Sequence, residues 1–416
     1  MISRRNRRKL RKAEKRSNIE ISNLDLSLQS VQLINLARSM TRAQFYYPNS
    51  VEVYTDGANK FSQLERDLEN AQNFIHIQYY IFSDDDLGQR VASILERKAK
   101  QGVRVKLIYD HVGSFGTSNK FFKRLRAAGI EAHPFFKVTF PQLGTRINWR
   151  NHRKLVVIDG CLAYLGGMNV AQRYIDGGKS FNKWRDTHVR LTGAIVKAVN
   201  YSFAVDWNFM GGPLIDDAFA EPDNYATPGA NAISNVGAQL LVSGPTSQWS
   251  NIAFSFQKAI SMARKRVFIQ TPYFLPTEAL LKALQTAALA HIDVRIMLPA
   301  KSDSTMLTYA SASYIAECLR SGIKFYLYRE GMLHSKTIII DDEIVSIGST
   351  NFDFRSFDYN FESNIFFYSR DFNAKMLEIF RHDISNCNRV LADNWRKRPL
   401  GNKIAESILR LLSPVL

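Results

Sequence analysis

The strongest constraint on what this chain can fold into is an internal repeat. Residues 74–82 read FIHIQYYIF and residues 267–274 read VFIQTPYF. Each is an apolar, β-rich run closed by aromatics and turn formers. A helical pattern follows in both places, Leu87 to Lys100 and Ala279 to Ala290, and then a second strand, VRVKLIYD at 103–110 and VRIMLPA at 294–300. A further helix with a glycine turn comes next, FKRLRAAGI at 122–130 and YIAECLRSGI at 314–323, and then HRKLVVIDG at 152–160 and HSKTIIIDD at 334–342. Strand–helix–strand–helix–strand order predicts an α/β sandwich with at least partly parallel strands. Because the order occurs twice, the expected architecture is two similar α/β domains, 44–215 and 236–396. A Pro-, Gly- and Asn-rich linker at 216–235 would join them. A basic head with a short helix (1–43) and an amphipathic tail (397–416) complete the chain.

The last repeated segment carries the chemistry. His152, Lys154 and Asp159 have the spacing H-x-K-x4-D, and His334, Lys336 and Asp341 have it again. Seven residues after each Asp comes a turn of small residues ending in Asn: Gly166-Gly167-Met168-Asn169 and Gly348-Ser349-Thr350-Asn351. On a strand, residues i and i+2 point to one face, so each His projects with its Lys. The runs LVVI and TIII draw the strand into a core, and the Asp beyond them is expected to make structural hydrogen bonds. The glycines permit a tight turn that returns Asn to the same face. An acid follows at some distance in each half: Asp186, in WRD, 34 residues after His152, and Glu362, in NFE, 28 residues after His334. A nucleophilic imidazole needs its second nitrogen oriented, and each acid is expected to orient the His of its own half.

The doubled H-x-K-x4-D with its following Asn resembles the signature of the phospholipase D superfamily, over about 44–416. More narrowly, RNHRKLVVIDG at 150–160, NKWRDTHVRLTG at 182–193, LHSKTIIIDD at 333–342, STNFDFRSFDYNFE at 349–362 and the ending RLLSPVL at 410–416 are similar to the bacterial cardiolipin synthases of that superfamily. The resemblance implies two phospholipase D-like domains related by a pseudo-twofold axis, with the site in the cleft between them. It also implies phosphatidyl transfer between two phosphatidylglycerols through a covalent phosphohistidine, with release of glycerol. On the family pattern His152 is the nucleophile and His334 the acid/base; Lys154, Lys336, Asn169 and Asn351 would hold the phosphate. The candidate catalytic set is then His152, Lys154, Asp159, Asp186, His334, Lys336, Asp341 and Glu362. So many cationic and donor groups make a divalent metal unnecessary, and neither a metal nor a cofactor is expected.

Charge bears on the partner. Lys plus Arg number 55 against 38 Asp plus Glu, a net +17, which favours phosphate-bearing partners. Residues 1–16 hold nine basic residues and one acid, Glu14. Basic residues beside an anionic bilayer contribute on the order of 1 kcal/mol each, so this head could tether the chain to acidic lipid. No apolar run reaches the roughly 18–20 residues that span a bilayer. No apolar stretch follows the basic start as a signal peptide requires. Long-form synthases of the family begin with two transmembrane helices; the basic head in their place implies peripheral attachment to the cytoplasmic face of the membrane. Three scattered cysteines, Cys161, Cys318 and Cys387, argue against a disulfide framework and fit a reducing compartment.

Two segments could meet lipid. In the tail, Ile404, Ile408, Leu411, Leu412 and Val415 share one face opposite Lys403, Glu406, Ser407 and Arg410. That pattern fits a helix docked on the body or one lying in a membrane interface. At 135–151, Phe135, Phe136, Phe140, Leu143, Ile147 and Trp149 with Lys137, Arg146 and Arg150 could border a lipid entrance or belong to the core. Hydrolysis, transfer to another alcohol and a nuclease of the same superfamily are the alternatives to cardiolipin synthesis. A nuclease is disfavoured because the small ones carry one motif per chain, so anionic phospholipid rather than nucleic acid is the expected partner.

Overall fold

A computed structural model describes residues 21–137, 148–213, 215, 222 and 224–411. Residues 1–20, with the basic run, and 138–147 of the 135–151 aromatic stretch lie outside the described residues, as do Leu412 and Val415.

The strands, in chain order, are β1 (Asn49–Tyr54), β2 (Phe74–Tyr79), β3 (Arg104–Asp110), β4 (Glu131–Phe135), β5 (Leu155–Ile158), β6 (Leu162–Gly166) and β7 (His188–Gly193), then β8 (Gly237–Ser243), β9 (Arg266–Gln270), β10 (Asp293–Pro299), β11 (Lys324–Tyr328), β12 (Thr337–Ile340), β13 (Ile344–Gly348) and β14 (Asn360–Tyr368). The first seven form one sheet in the order β1-β7-β6-β5-β2-β3-β4; the second seven follow the order β8-β14-β13-β12-β9-β10-β11. The two orders are the same. In each sheet the three strands furthest from the first are parallel and the other neighbours antiparallel. Short strands extend the second sheet at both ends: Phe45–Tyr46 beside β8 and Cys387–Arg389 beside β11.

The helices repeat likewise. After α1 (Leu28–Thr41), the first half carries α2 (Gly57–Glu69), α3 (Asp86–Lys100), α4 (Asn119–Ala127), α5 (Arg173–Asp176) and α6 (Ile195–Phe209). The second carries α7 (Asn251–Met262), α8 (Glu278–Leu289), α9 (Thr305–Arg320), α10 (Phe354–Asp358) and α11 (Arg370–Ser385), and α12 (Leu400–Leu411) follows. Local chemistry starts them where the pattern predicts. Asp85 caps α3 by accepting from Gly88 N at 3.0 Å, and Ser118 caps α4 by accepting from Phe121 N at 3.2 Å.

Three buried apolar clusters hold these layers. One joins the first sheet to α2, α3 and α4. A second joins the other sheet to α7, α8 and α9, and Leu33, Ile34 and Ala37 of α1 are buried in it. The third is shared: strands of both sheets contribute to it, with Phe203 of α6 and Phe380 of α11. The halves are therefore fused through a common core.

Two short parallel pairings also join them. Arg150–Asn151 pairs with Asn360–Phe361 of β14, and Met332–Leu333 pairs with Trp184–Arg185. Their reciprocity follows the pseudo-twofold relation of the halves, and both lie at the repeated motifs.

Candidate active site

Each motif strand carries its residues as the alternation predicts. His152 and Lys154 lead into β5, His334 and Lys336 into β12, and all four are buried. The motif Asp sits past the far end of the strand with a left-handed backbone, φ 51° at Asp159 and 48° at Asp341, which Asp tolerates better than most residues. Asp159 accepts hydrogen bonds from the backbone of Gln72, Asn73 and Phe74 at 2.7–2.8 Å. Asp341 accepts from Arg264, Lys265 and Arg266 at 2.7–3.1 Å. Both carboxylates fasten the motif hairpin to the start of the neighbouring strand. Neither borders the cavity at the His end, so their place in the catalytic set becomes a structural one.

At the His end lies a single cavity of about 190 Å³ bordered by both His152 and His334, and by Asn169 and Asn351. The carboxylates reach it crosswise. His152 Nδ1 is 2.9 Å from Glu362 Oε1, and His334 Nδ1 is 2.7 Å from Asp186 Oδ2. The expectation that each acid serves its own half is thus overturned. The reason is the pair of short parallel strands. Arg150–Asn151 runs directly into His152 and pairs with the residues directly before Glu362; Met332–Leu333 runs into His334 and pairs with the residues directly before Asp186. The backbone continues the pairing: His152 N donates to Phe361 O at 2.9 Å and His334 N to Arg185 O at 2.7 Å.

Small residues make room for this. A Cβ on Gly167 would fall 2.1 Å from Asp186 Oδ1. Its counterpart Ser349 has a side chain that donates to Glu362 instead. Beneath the site, Asp206 of α6 accepts from Arg153 at 2.5 Å, Gln78 at 2.7 Å and Asn151 at 3.1 Å. Asp383 of α11 accepts from Arg185 at 2.7 Å and Gln270 at 2.8 Å. These acids carried no motif. The signal that could have revealed them is their shared place on the last helix of each repeat.

Electrostatics keep both rings neutral. Burial lowers His152 to about 4 against the pull of Glu362, and burial with the Lys336 ammonium lowers His334 to about 4. Lys336 Nζ stands 2.7 Å from the same Nδ1 that Asp186 holds. Burial raises Asp186, but Lys336 and His334 outweigh it and hold the carboxylate below its usual range. Glu362 ends low in the same way, through His152 and Lys154. Burial also brings Lys336 down to about 8 and Lys154 well below its ordinary value. With Nδ1–H directed at a carboxylate, each ring turns Nε2 towards the cavity, where it has no protein hydrogen-bond partner among the described residues. One such nitrogen can attack phosphorus while the other carries a proton.

The asparagines differ. Asn169 Oδ1 accepts from Ile81 N at 3.0 Å and Nδ2 donates to the Tyr174 hydroxyl at 2.7 Å; Asn351 Oδ1 is buried without a partner among the described residues. Arg173 and Arg355 also border the cavity, each four residues after the motif Asn. That N-x3-R repeat is legible in the sequence. No three His, Cys, Asp or Glu side chains gather as a metal-ligand set among the described residues. Of the 135–151 stretch, Phe135 is fully buried, and Phe136 and Trp149 pack against Phe361; these belong to the core. Phe140, Leu143, Arg146 and Ile147 lie outside the described residues.

Known proteins share the sequence and the fold of this chain. A family model described as "Cardiolipin synthase, PLD-like domain" matches residues 64–207 and 256–384, more than half the chain and one segment in each half. The chain is 42% identical over 388 residues to the major cardiolipin synthase ClsA of Bacillus subtilis strain 168, covering 92% of this chain and 79% of that one. It is 39% identical over 407 residues to a cardiolipin synthase of Geobacillus kaustophilus HTA426, covering 98% and 80%. Among solved structures, the phosphatidylserine synthase of Haemophilus influenzae Rd KW20 superposes with a TM-score of 0.70 at 14% identity, over 92% of this chain and 100% of that one. Polyphosphate kinase from Porphyromonas gingivalis superposes with 0.54 at 14% identity, over 88% and 53%.

Proposed function

The chain belongs to the cardiolipin synthase family of phospholipase D-like proteins, and from that premise we propose that it joins two phosphatidylglycerol molecules into cardiolipin and releases glycerol. The observation that carries this reading is the crossed pairing of two neutral imidazoles with two carboxylates over one cavity.

In the first step His152 Nε2 forms a bond to phosphorus, and the bond from phosphorus to the headgroup glycerol oxygen breaks. His334 gives that oxygen its proton. His334 takes that proton from solvent when the substrate binds: the phosphodiester anion opposes the Lys336 charge that holds the ring neutral, so the ring is protonated in the complex. In the second step a hydroxyl of another phosphatidylglycerol attacks phosphorus, its proton passes to His334 Nε2, and the phosphorus–nitrogen bond breaks. Lys154, Lys336 and the cavity asparagines bear the charge on the phosphoryl oxygens. Purified protein with phosphatidylglycerol vesicles is expected to yield cardiolipin and glycerol in equal amounts. Phosphatidic acid as the main product would mark a hydrolase, and cleavage of single-stranded DNA a nuclease.

Lys336 sets an alkaline limit. Its ammonium stabilises developing negative charge, and it loses that charge as pH rises through about 8. The expected kcat/KM profile therefore declines above pH 8. A profile flat to pH 10 would remove Lys336 from charge stabilisation.

The tail supports a peripheral site on an anionic membrane. α12 docks on the body through Arg410, which pairs with Glu317 of α9 at 2.8 Å, and Leu409, which packs on the second core, while Glu406, 5% exposed, accepts from Arg398 within the tail at 2.5 and 2.9 Å. Its apolar row is left outward, with Leu400 71%, Ile404 53%, Ile408 55% and Leu411 82% exposed. A docked amphipathic helix ordinarily does the reverse. Basic Arg396, Lys397 and Lys403 flank the row, as an interfacial helix on acidic lipid requires. No helix among the described residues is long and apolar enough to cross a membrane. Ile404→Asp with Ile408→Asp is expected to lower binding to phosphatidylglycerol vesicles by about tenfold or more, since each isoleucine contributes about 1.5–3 kcal/mol on full burial. Unchanged co-flotation would reject this surface, and 0.5 M salt is expected to weaken the remaining attachment.

A further inference from the structure

We propose that Arg173 is the seat for the phosphate that the acceptor lipid brings with it. The proposal rests on the cardiolipin synthase reading and adds a specificity determinant to it. Cardiolipin formation places two phosphodiester anions in one site. One is bound to the nucleophile; the other hangs from the far side of the acceptor glycerol. In the proposed mechanism the motif lysines serve the reacting phosphorus, so the second anion needs a cation of its own, one glycerol further along.

Arg173, at the start of α5, borders the cavity. Its guanidinium lies 5.2 Å from the Trp184 ring and 5.8 Å from the Tyr174 ring. Those rings pack on His334, at 5.5 and 6.0 Å. The cation is thereby fixed on the side of the proposed acid/base. Its Nε is buried with no hydrogen-bond partner, and no carboxylate forms an ion pair with the guanidinium among the described residues. A buried donor left unmatched is costly, and a planar guanidinium suits a phosphate. In an in-line displacement the leaving glycerol and the incoming hydroxyl both lie opposite the nucleophile, on this side.

The remaining groups there suit a polyol. Asp303 accepts from the Tyr273 hydroxyl at 2.6 Å, and Asn351 Oδ1 is a buried acceptor without a partner; both border the cavity. Both oxygens accept from glycerol hydroxyls, and the Asn351 amide nitrogen remains a donor for the reacting phosphate. The symmetry mate Arg355 instead donates to the backbone oxygen of Asn148, four residues before His152, at 3.3 Å. Arg355 therefore stands on the nucleophile side, where no acceptor glycerol arrives.

The test compares two acceptors in the full chain, on vesicles of phosphatidylglycerol supplied with labelled glycerol. Transfer to free glycerol regenerates phosphatidylglycerol and needs no second phosphate seat. In Arg173→Gln, cardiolipin formation is expected to fall by about 30-fold or more, the scale of a lost charge-assisted contact, while label exchange falls by no more than about threefold. Arg173→Lys should recover part of the cardiolipin rate. Equal losses in both reactions, or no loss in either, would overturn the proposal, as would the split appearing in Arg355→Gln instead. Wild-type protein that exchanges glycerol but makes no cardiolipin would instead refute the underlying reading.

Discussion

Asp186→Asn and Glu362→Gln are each expected to lower cardiolipin formation by about a thousandfold, the scale on which a catalytic imidazole suffers when the group that fixes its tautomer is lost. Both replacements keep the shape of the side chain, so the fold should survive. Truncation to Ala would not be equivalent, because stripping one partner from a buried charged pair costs about 3–5 kcal/mol of stability. The amide can still present an oxygen to Nδ1–H, but it no longer stabilises the imidazolium that each half-reaction forms. The crossed geometry makes a sharper demand than lost activity. With ring nitrogens labelled for NMR, Asp186→Asn should disturb the tautomer and titration of His334 and leave those of His152 in place, and Glu362→Gln should do the opposite. Disturbance of the histidine in the same half as the altered acid would refute the crossed pairing. Near-normal turnover would remove both acids from the mechanism.

A larger loss is expected at the histidines themselves. His152→Ala and His334→Ala should each reduce turnover by about ten-thousandfold or more, because groups acting as one unit fail together. The two variants should differ in what they trap. Quenching after brief exposure to phosphatidylglycerol labelled at phosphorus should leave a labelled phosphoprotein in the wild type and in His334→Ala given long incubation. His152→Ala should carry no label at any time. Labelled His152→Ala protein would reverse the two roles. It would also move the acceptor side of the cavity away from Arg173.

Much of this was legible in the residues because it is local or periodic. The H-x-K spacing places each pair on one strand face, and the strand and helix patterns placed both repeats. The role of the motif Asp was legible too: beyond the apolar run it cannot return to the His, and the structure finds it binding backbone amides at the far end. Asp206 and Asp383 were not legible, since a single acid inside an amphipathic helix has no local signature. Their meaning comes from the arginines that fold against them, Arg153 and Arg185. Periodicity in the tail correctly grouped Ile404, Ile408 and Leu411 on one face. Which face would meet the body was settled by Arg410 and Leu409 finding partners there.

The amino-acid order alone determined that there are two equivalent halves, and that each offers an imidazole, an ammonium and a carboxylate. These follow from backbone alternation and from duplication, which act within a few residues or along the whole chain at once. The tertiary structure decided who partners whom. His152 meets Glu362 across 210 positions, and His334 meets Asp186 across 148. Those partnerships depend on two short strands pairing across the shared core, and pairing between remote segments is set by how whole sheets pack, not by the residues around either end.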